Sequence, residues 1–186
     1  MKNWKRGENL KIIIYGSIYG TTKKYACELS KKIDIPAISY EEFKYDDNYD
    51  TFIYMGALYA GGVFGMKKVL SKIPSSKLRK FIIVTIGLSD TTDRENVEKI
   101  KNRIKNQVSD EVFEQSNIFC LRGGIDYSRL SLKHKVMMRL VYNKAKSIPE
   151  EKRNEETRSM IDTYNKKVDF VDFENLKSII DAVQVI

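Results

Sequence analysis

Histidine is almost missing from this chain: His134 is the only one in 186 residues, which excludes a histidine-rich metal site. Cysteine is nearly as scarce. Cys27 and Cys120 lie far apart, with no CxxC or metal-type spacing, and read as small buried hydrophobes rather than a redox pair or a metal site. No apolar run approaches the roughly eighteen residues of a membrane span, and residues 1–10 carry no signal-peptide core, so cytoplasm is the expected compartment. Acids are too few to balance the bases, 25 against 33, which leaves a formal net charge of +8. That excess points to anionic partners without choosing among nucleic acid, phospholipid head groups and a polycarboxylate substrate. The length suits one domain over residues 1–186, with a proper core.

What the chain does have is the stretch 11–22, KIIIYGSIYGTT. Its apolar run reads as a buried first strand, and the glycine and hydroxyl residues after it read as a turn opening a helix over 20–33. Such a helix aims free N–H groups past the strand end. Ser17, Thr21 and Thr22 add hydroxyls, Gly16 and Gly20 let the main chain come close, and the helix dipole favours negative charge. The expectation is a phosphate cradle. It is neither a P-loop, since the lysines come only at Lys23 and Lys24, nor a GxGxxG dinucleotide fingerprint.

Pro36 ends the first helix, and Ala37 to Tyr40 is a short second strand candidate. Residues 41–49 read as a connection, and Trp4 is expected to cap the edge of the fold. Residues 51–55 form another buried run, followed by a glycine-rich loop over 56–62 and a helix over 63–73. Residues 80–87, KFIIVTIG, form a third run, with a polar loop at 88–93 and helical spacing of apolar residues over 94–108. Residues 117–121 are the last strand candidate, and Asp172 caps a final helix. Buried strands alternating with helices imply a parallel sheet covered on both faces, with a ligand at the carboxyl ends of its strands. The same architecture carries receiver domains, but the first and third strands end in Tyr15-Gly16 and Met55-Gly56 instead of acids, so phosphoacceptor chemistry is not expected.

Ser17, Gly20 and Thr22 resemble the phosphate loop of flavodoxins, and Gly87-Leu88-Ser89-Asp90 resembles their third loop, with Ser89 in place of a glycine. The resemblance implies an α/β, doubly wound, five-stranded parallel sheet of order 2-1-3-4-5 that binds FMN. It assigns the phosphate to Ser17, Gly20, Thr21 and Thr22, with Ile18 and Tyr19 of the same loop also cofactor-binding and Tyr19 standing where a Thr is usual. The ring would be lined by Gly56, Ala57, Leu58, Tyr59, Gly87, Leu88, Ser89 and Asp90, with Tyr59 stacking on it. Arg122 would favour the reduced anionic flavin if it reaches the site.

Residues 123–167 are an insertion before the last helix. Residues 122–148 hold seven Lys or Arg against Asp126 alone, a net +6. As a helix, Leu132, Val136, Met137, Leu140 and Val141 share a broad apolar arc with Lys135, Arg139 and Lys146 opposite. Two readings stand: a basic amphipathic helix on an anionic membrane surface, or one that packs its apolar face on the domain and solvates its lysines. Residues 126–131 (DYSRLS), 135–139 (KVMMR), Asp172-Phe173 and Gly56-Ala57 resemble the menaquinone-dependent protoporphyrinogen oxidase group of flavodoxin-domain proteins. That resemblance implies a flavoenzyme that oxidises a porphyrinogen and passes electrons to a quinone, with the basic segment 122–148 placing it at the inner face of a membrane; the alternative is a non-catalytic electron carrier docking on redox proteins. No residue is singled out as a catalytic acid or base. Nucleic-acid binding is not expected, because no aromatic stacking platforms interleave with the charges.

Overall fold

A computed structural model describes residues 10–59, 61–78 and 80–185; Trp4 lies outside them. The first apolar run forms β1 (Leu10–Gly16), followed by α1 (Thr21–Ile33) and β2 (Ala37–Ser39). Then come β3 (Tyr49–Tyr59), β4 (Gly62–Val63), α2 (Met66–Leu70) and β5 (Phe81–Gly87). After these, α3 (Arg94–Lys105) and α4 (Asp110–Gln115) lead into β6 (Asn117–Arg122). Strands β2-β1-β3-β5-β6 lie side by side and parallel, and β4 adds a sixth, antiparallel strand to the expected five. The architecture is the doubly wound α/β one that the alternation of buried strands and helices implies.

Strand alternation divides the core into two layers. Ile12, Ile14, Phe52, Tyr54, Phe81 and Ile83 face one side, under Met66, Val69, Ile100 and Ile104 of α2 and α3. Ile13, Ile53, Met55, Ile82 and Val84 face the other, under Tyr25, Ala26 and Leu29 of α1 and the C-terminal helix. Burial on both faces explains why these strands read as continuous apolar runs.

Two expectations change. The glycine-rich stretch after the third run is not a loose loop: β3 continues through Gly56 and Ala57, which stay paired with Thr85 and Ile86 of β5, and turns back as a hairpin onto β4. Gly61, at φ +82°, makes the turn. The helix expected over 63–73 is consequently cut to α2, because Val63 belongs to the hairpin and Gly65, at φ +81°, sits at the helix's N-cap. The cysteines are less buried than expected. Both are only half-buried, and of the two Cys120 alone packs against the core.

The insertion contains β7 (Gly124–Asp126), a 3-10 turn, α5 (Leu132–Lys146), α6 (Glu155–Thr163) and β8 (Lys167–Asp169). β7 and β8 pair antiparallel in a sheet of their own, so the added structure runs to Asp169. Ser131 and Asn154 cap the two helices through their side-chain oxygens. Tyr142 and Tyr164 stack at 3.9 Å between centroids, and Arg103 of α3 meets Glu156 of α6 at 2.7 Å. A 3-10 turn at Phe173–Leu176, capped by Asp172, leads into α7 (Lys177–Val185).

Candidate functional site

The carboxyl ends of β1, β3 and β5 converge at the switch point of the sheet, where the chain leaves β1 toward β2 on one side and later returns to β3 on the other. A cavity of about 180 Å³ opens there. Its walls include Ser17, Ile18, Tyr19, Thr21 and Thr22 after β1, Ala57, Leu58 and Tyr59 in β3, and Gly87 and Leu88 at the end of β5. Ten of the fourteen residues expected from the sequence thus meet in one place.

The other four serve differently. Gly20 is the N-cap of α1 at φ +96°, with open space where a Cβ would stand, so its role is the left-handed backbone and not close approach. Gly56 does mark a close approach, but one inside the sheet: a Cβ there would come within 2.3 Å of a Val63 methyl. Ser89 lines a neighbouring groove. Asp90 lines neither space. Its carboxylate accepts from the Thr92 N–H at 2.9 Å and from the Thr92 hydroxyl at 2.8 Å, and these bonds hold it below the usual carboxylate range. A depressed acid of this kind stabilises the turn at neutral pH, and that stability is lost only as pH falls through its lowered pKa.

The helix end fits an anion. No side chain caps α1, so N–H groups of its first turn lack an intrahelical or capping partner. Ser17 Oγ accepts from the Gly20 N–H at 3.1 Å and fixes the turn that presents them. The remaining walls are apolar or aromatic: Leu58, Tyr59, Ile86, Leu88, Leu130, Met137 and Met138. A phosphate end and a flat apolar end together suit a phosphorylated planar ring.

Sequence reasoning missed the roof. His134, Met137 and Met138 of α5 all face the cavity. The imidazole bonds Tyr19 through Nδ1 and Tyr59 through Nε2, the latter at 2.9 Å, and so ties the loop after β1 to the β3 hairpin. Tyr19 also accepts from the Ser131 N–H at 3.1 Å, so its hydroxyl anchors α5 instead of facing a phosphate. The 134, 137, 138 spacing was the available signal, since it places the only histidine on one helical face with two methionines. Arg122 does not reach the cavity. Its guanidinium lies 3.9 Å above the Phe170 ring, and a terminal nitrogen donates to the Leu88 carbonyl at 3.4 Å.

Residues 12–152 match the flavodoxin domain family. The chain belongs to that family. No curated protein matches this flavodoxin domain at the sequence level. Among solved structures it is similar to a flavoprotein from Lactobacillus acidophilus NCFM in complex with FMN, at 15% identity and TM-score 0.38, covering 62% of this chain and 93% of that one. A flavoprotein from Bacteroides eggerthii aligns at 10% identity and TM-score 0.44, over 72% of this chain and 98% of its own. Oxidised Flavodoxin 1 from Bacillus cereus aligns at 14% identity and TM-score 0.37, over 64% and 88%.

A second space adjoins the first. A groove of about 530 Å³ shares Leu58, Tyr59, Gly87 and Leu88 with the cavity and is closed on its far side by Val141, Lys144, Ala145 and Ile148 of the insertion, with Met160 of α6.

Proposed function

We propose that this flavodoxin domain binds FMN and works as a redox enzyme on a small molecule. When bound, FMN supplies the electron-accepting and electron-donating ring, and the protein supplies position and electrostatics. The first turn of α1 with Ser17, Thr21 and Thr22 holds the phosphate. Ala57, Leu58, Tyr59, Gly87 and Leu88 line the ring, joined by Met137 and Met138. His134 holds Tyr19 and Tyr59 in register above them.

The observation that carries the enzyme reading is the groove beside the cavity. A carrier needs only an exposed ring edge, whereas here the insertion builds a second concave site against the same four residues. Its mixture of Leu58, Leu88, Val141 and Met160 with Lys144 and the Arg103–Glu156 pair suits an apolar molecule bearing carbonyl or carboxylate oxygens that Lys144 can meet. The protoporphyrinogen oxidase type is the specific form proposed, with a quinone as acceptor.

Two measurements test this. Titrating FMN with the protein should quench flavin fluorescence to a saturable end point, and failure to do so removes the whole reading. FMN-loaded protein should then turn over protoporphyrinogen with a menaquinone analogue. Binding without turnover of either compound, together with electron transfer to a redox protein that slows when surface lysines are reversed in sign, would favour the carrier.

A further inference from the structure

The broad apolar arc expected on the insertion helix does not stay together. Met137, Met138 and Ala145 turn inward, while Leu132, Val136 and Leu140, four residues apart, form a line on the outside. These three are 82%, 62% and 65% exposed, and they are half of the large hydrophobic side chains exposed among the described residues. Successive helical residues turn by about 100°, which puts Lys133 and Lys144 on one flank of that line and Lys135, Arg139 and Lys146 on the other. All five basic residues are exposed. No acidic residue occurs between Asp126 and Glu150.

We propose that this outer face of α5 rests on an anionic lipid surface. An apolar ridge bordered on both sides by long cationic side chains matches the depth profile of a bilayer interface. The ridge enters the acyl boundary, and the lysine and arginine stems lie along it with their charges at the head groups. Charge complementarity selects lipid over a second copy of this chain, because two copies meeting through α5 would oppose five cations to five. The inner face of the same helix roofs the cavity, so docking brings the cavity and its groove to the membrane, where a lipophilic reactant is dissolved. The proposal does not depend on FMN, since the ridge and its flanks are formed by the protein alone.

The test is co-sedimentation of the full-length protein with vesicles, one set of phosphatidylglycerol and phosphatidylcholine and one of phosphatidylcholine only. Binding is expected to the first set at about 0.1 M salt, with release as salt rises and the Debye length shrinks. Each neutralised flank residue should weaken partitioning about fivefold, so K133Q/K135Q/R139Q loses on the order of a hundredfold. L132S/V136S/L140S should abolish it, and because those side chains are already in solvent its circular dichroism should match the parent's. K31Q/K32Q on α1 should change little. Failure to sediment, equal binding to both vesicle sets, or binding unaffected by the α5 variants would overturn the proposal. So would a dimer in light scattering that L132S/V136S/L140S dissolves, which would assign the ridge to a second copy.

Discussion

One imidazole sets the state of the cavity. With Tyr19 on one nitrogen and Tyr59 on the other, His134 spans the loop after β1 and the hairpin of β3 across the mouth of the cavity. The cavity, about 180 Å³ and open on one side, is smaller than the roughly 300 Å³ of typical small-molecule pockets. Parting of this bridge would widen the site, and we expect the ring to enter through that step. Two such hydrogen bonds contribute about 1–3 kcal/mol, which would keep the parted form a minor population and slow association in proportion. In His134→Ala, FMN should associate on the order of tenfold faster, measured by stopped-flow quenching of flavin fluorescence. An unchanged rate would show that the bridge does not control entry. The only histidine was easy to dismiss from the sequence, where it argued against a metal site. Its actual use depends on Tyr19, 115 residues away, and no local pattern reports that pairing.

At the scale of elements, α1 positions the phosphate end, and what fixes α1 is a tyrosine. Tyr25 is fully buried, and its hydroxyl donates to the Arg122 carbonyl at 2.8 Å and accepts from the Asp172 N–H at 2.9 Å. It thereby joins α1 to the end of β6 and to the approach to α7. Burial is the main cause that pushes its phenol pKa up, so it stays a donor at physiological pH. Tyr25→Phe leaves a carbonyl and an N–H without their partner and should cost about 1–3 kcal/mol, read as a lower denaturation midpoint at unchanged slope. A fall below a few tenths of a kcal/mol would mean that water replaces the hydroxyl. The elements themselves were largely legible, because strands buried on both faces produce the runs at 12–15, 51–55 and 81–87, and α1 and α3 repeat apolar residues at helical spacing. The hairpin of β3 and β4 was not. Its glycines look like loop residues in sequence, and only pairing with the neighbouring strands, Gly56 with β1 and β5 and Ala57 with β5, keeps them in the sheet.

For the whole molecule, the question is whether the insertion is an ornament or part of the site. Links between it and the rest of the fold include the His134 bridge, the hydrogen bond from the Gly123 N–H to the Gly87 carbonyl, and the Arg103–Glu156 and Lys24–Asp169 ion pairs. Both ion pairs are a third or more exposed at each partner and contribute no more than about 1 kcal/mol each, so a ligand that touches both parts adds to their coupling. A molecule filling the cavity touches residues 17–19, 21, 22 and 57–59 of the core and His134, Met137 and Met138 of α5 together. At a hundredfold excess over its dissociation constant it adds about 2.7 kcal/mol to the folded state. Hydrogen exchange read with and without FMN should consequently show slowing at 17–22 and 57–59, and also along α5, whose outer face stays in solvent and gains nothing directly. Slowing confined to the core segments would mean that α5 does not close on the ligand, and the groove it forms beside the cavity could then not hold a reactant against the ring.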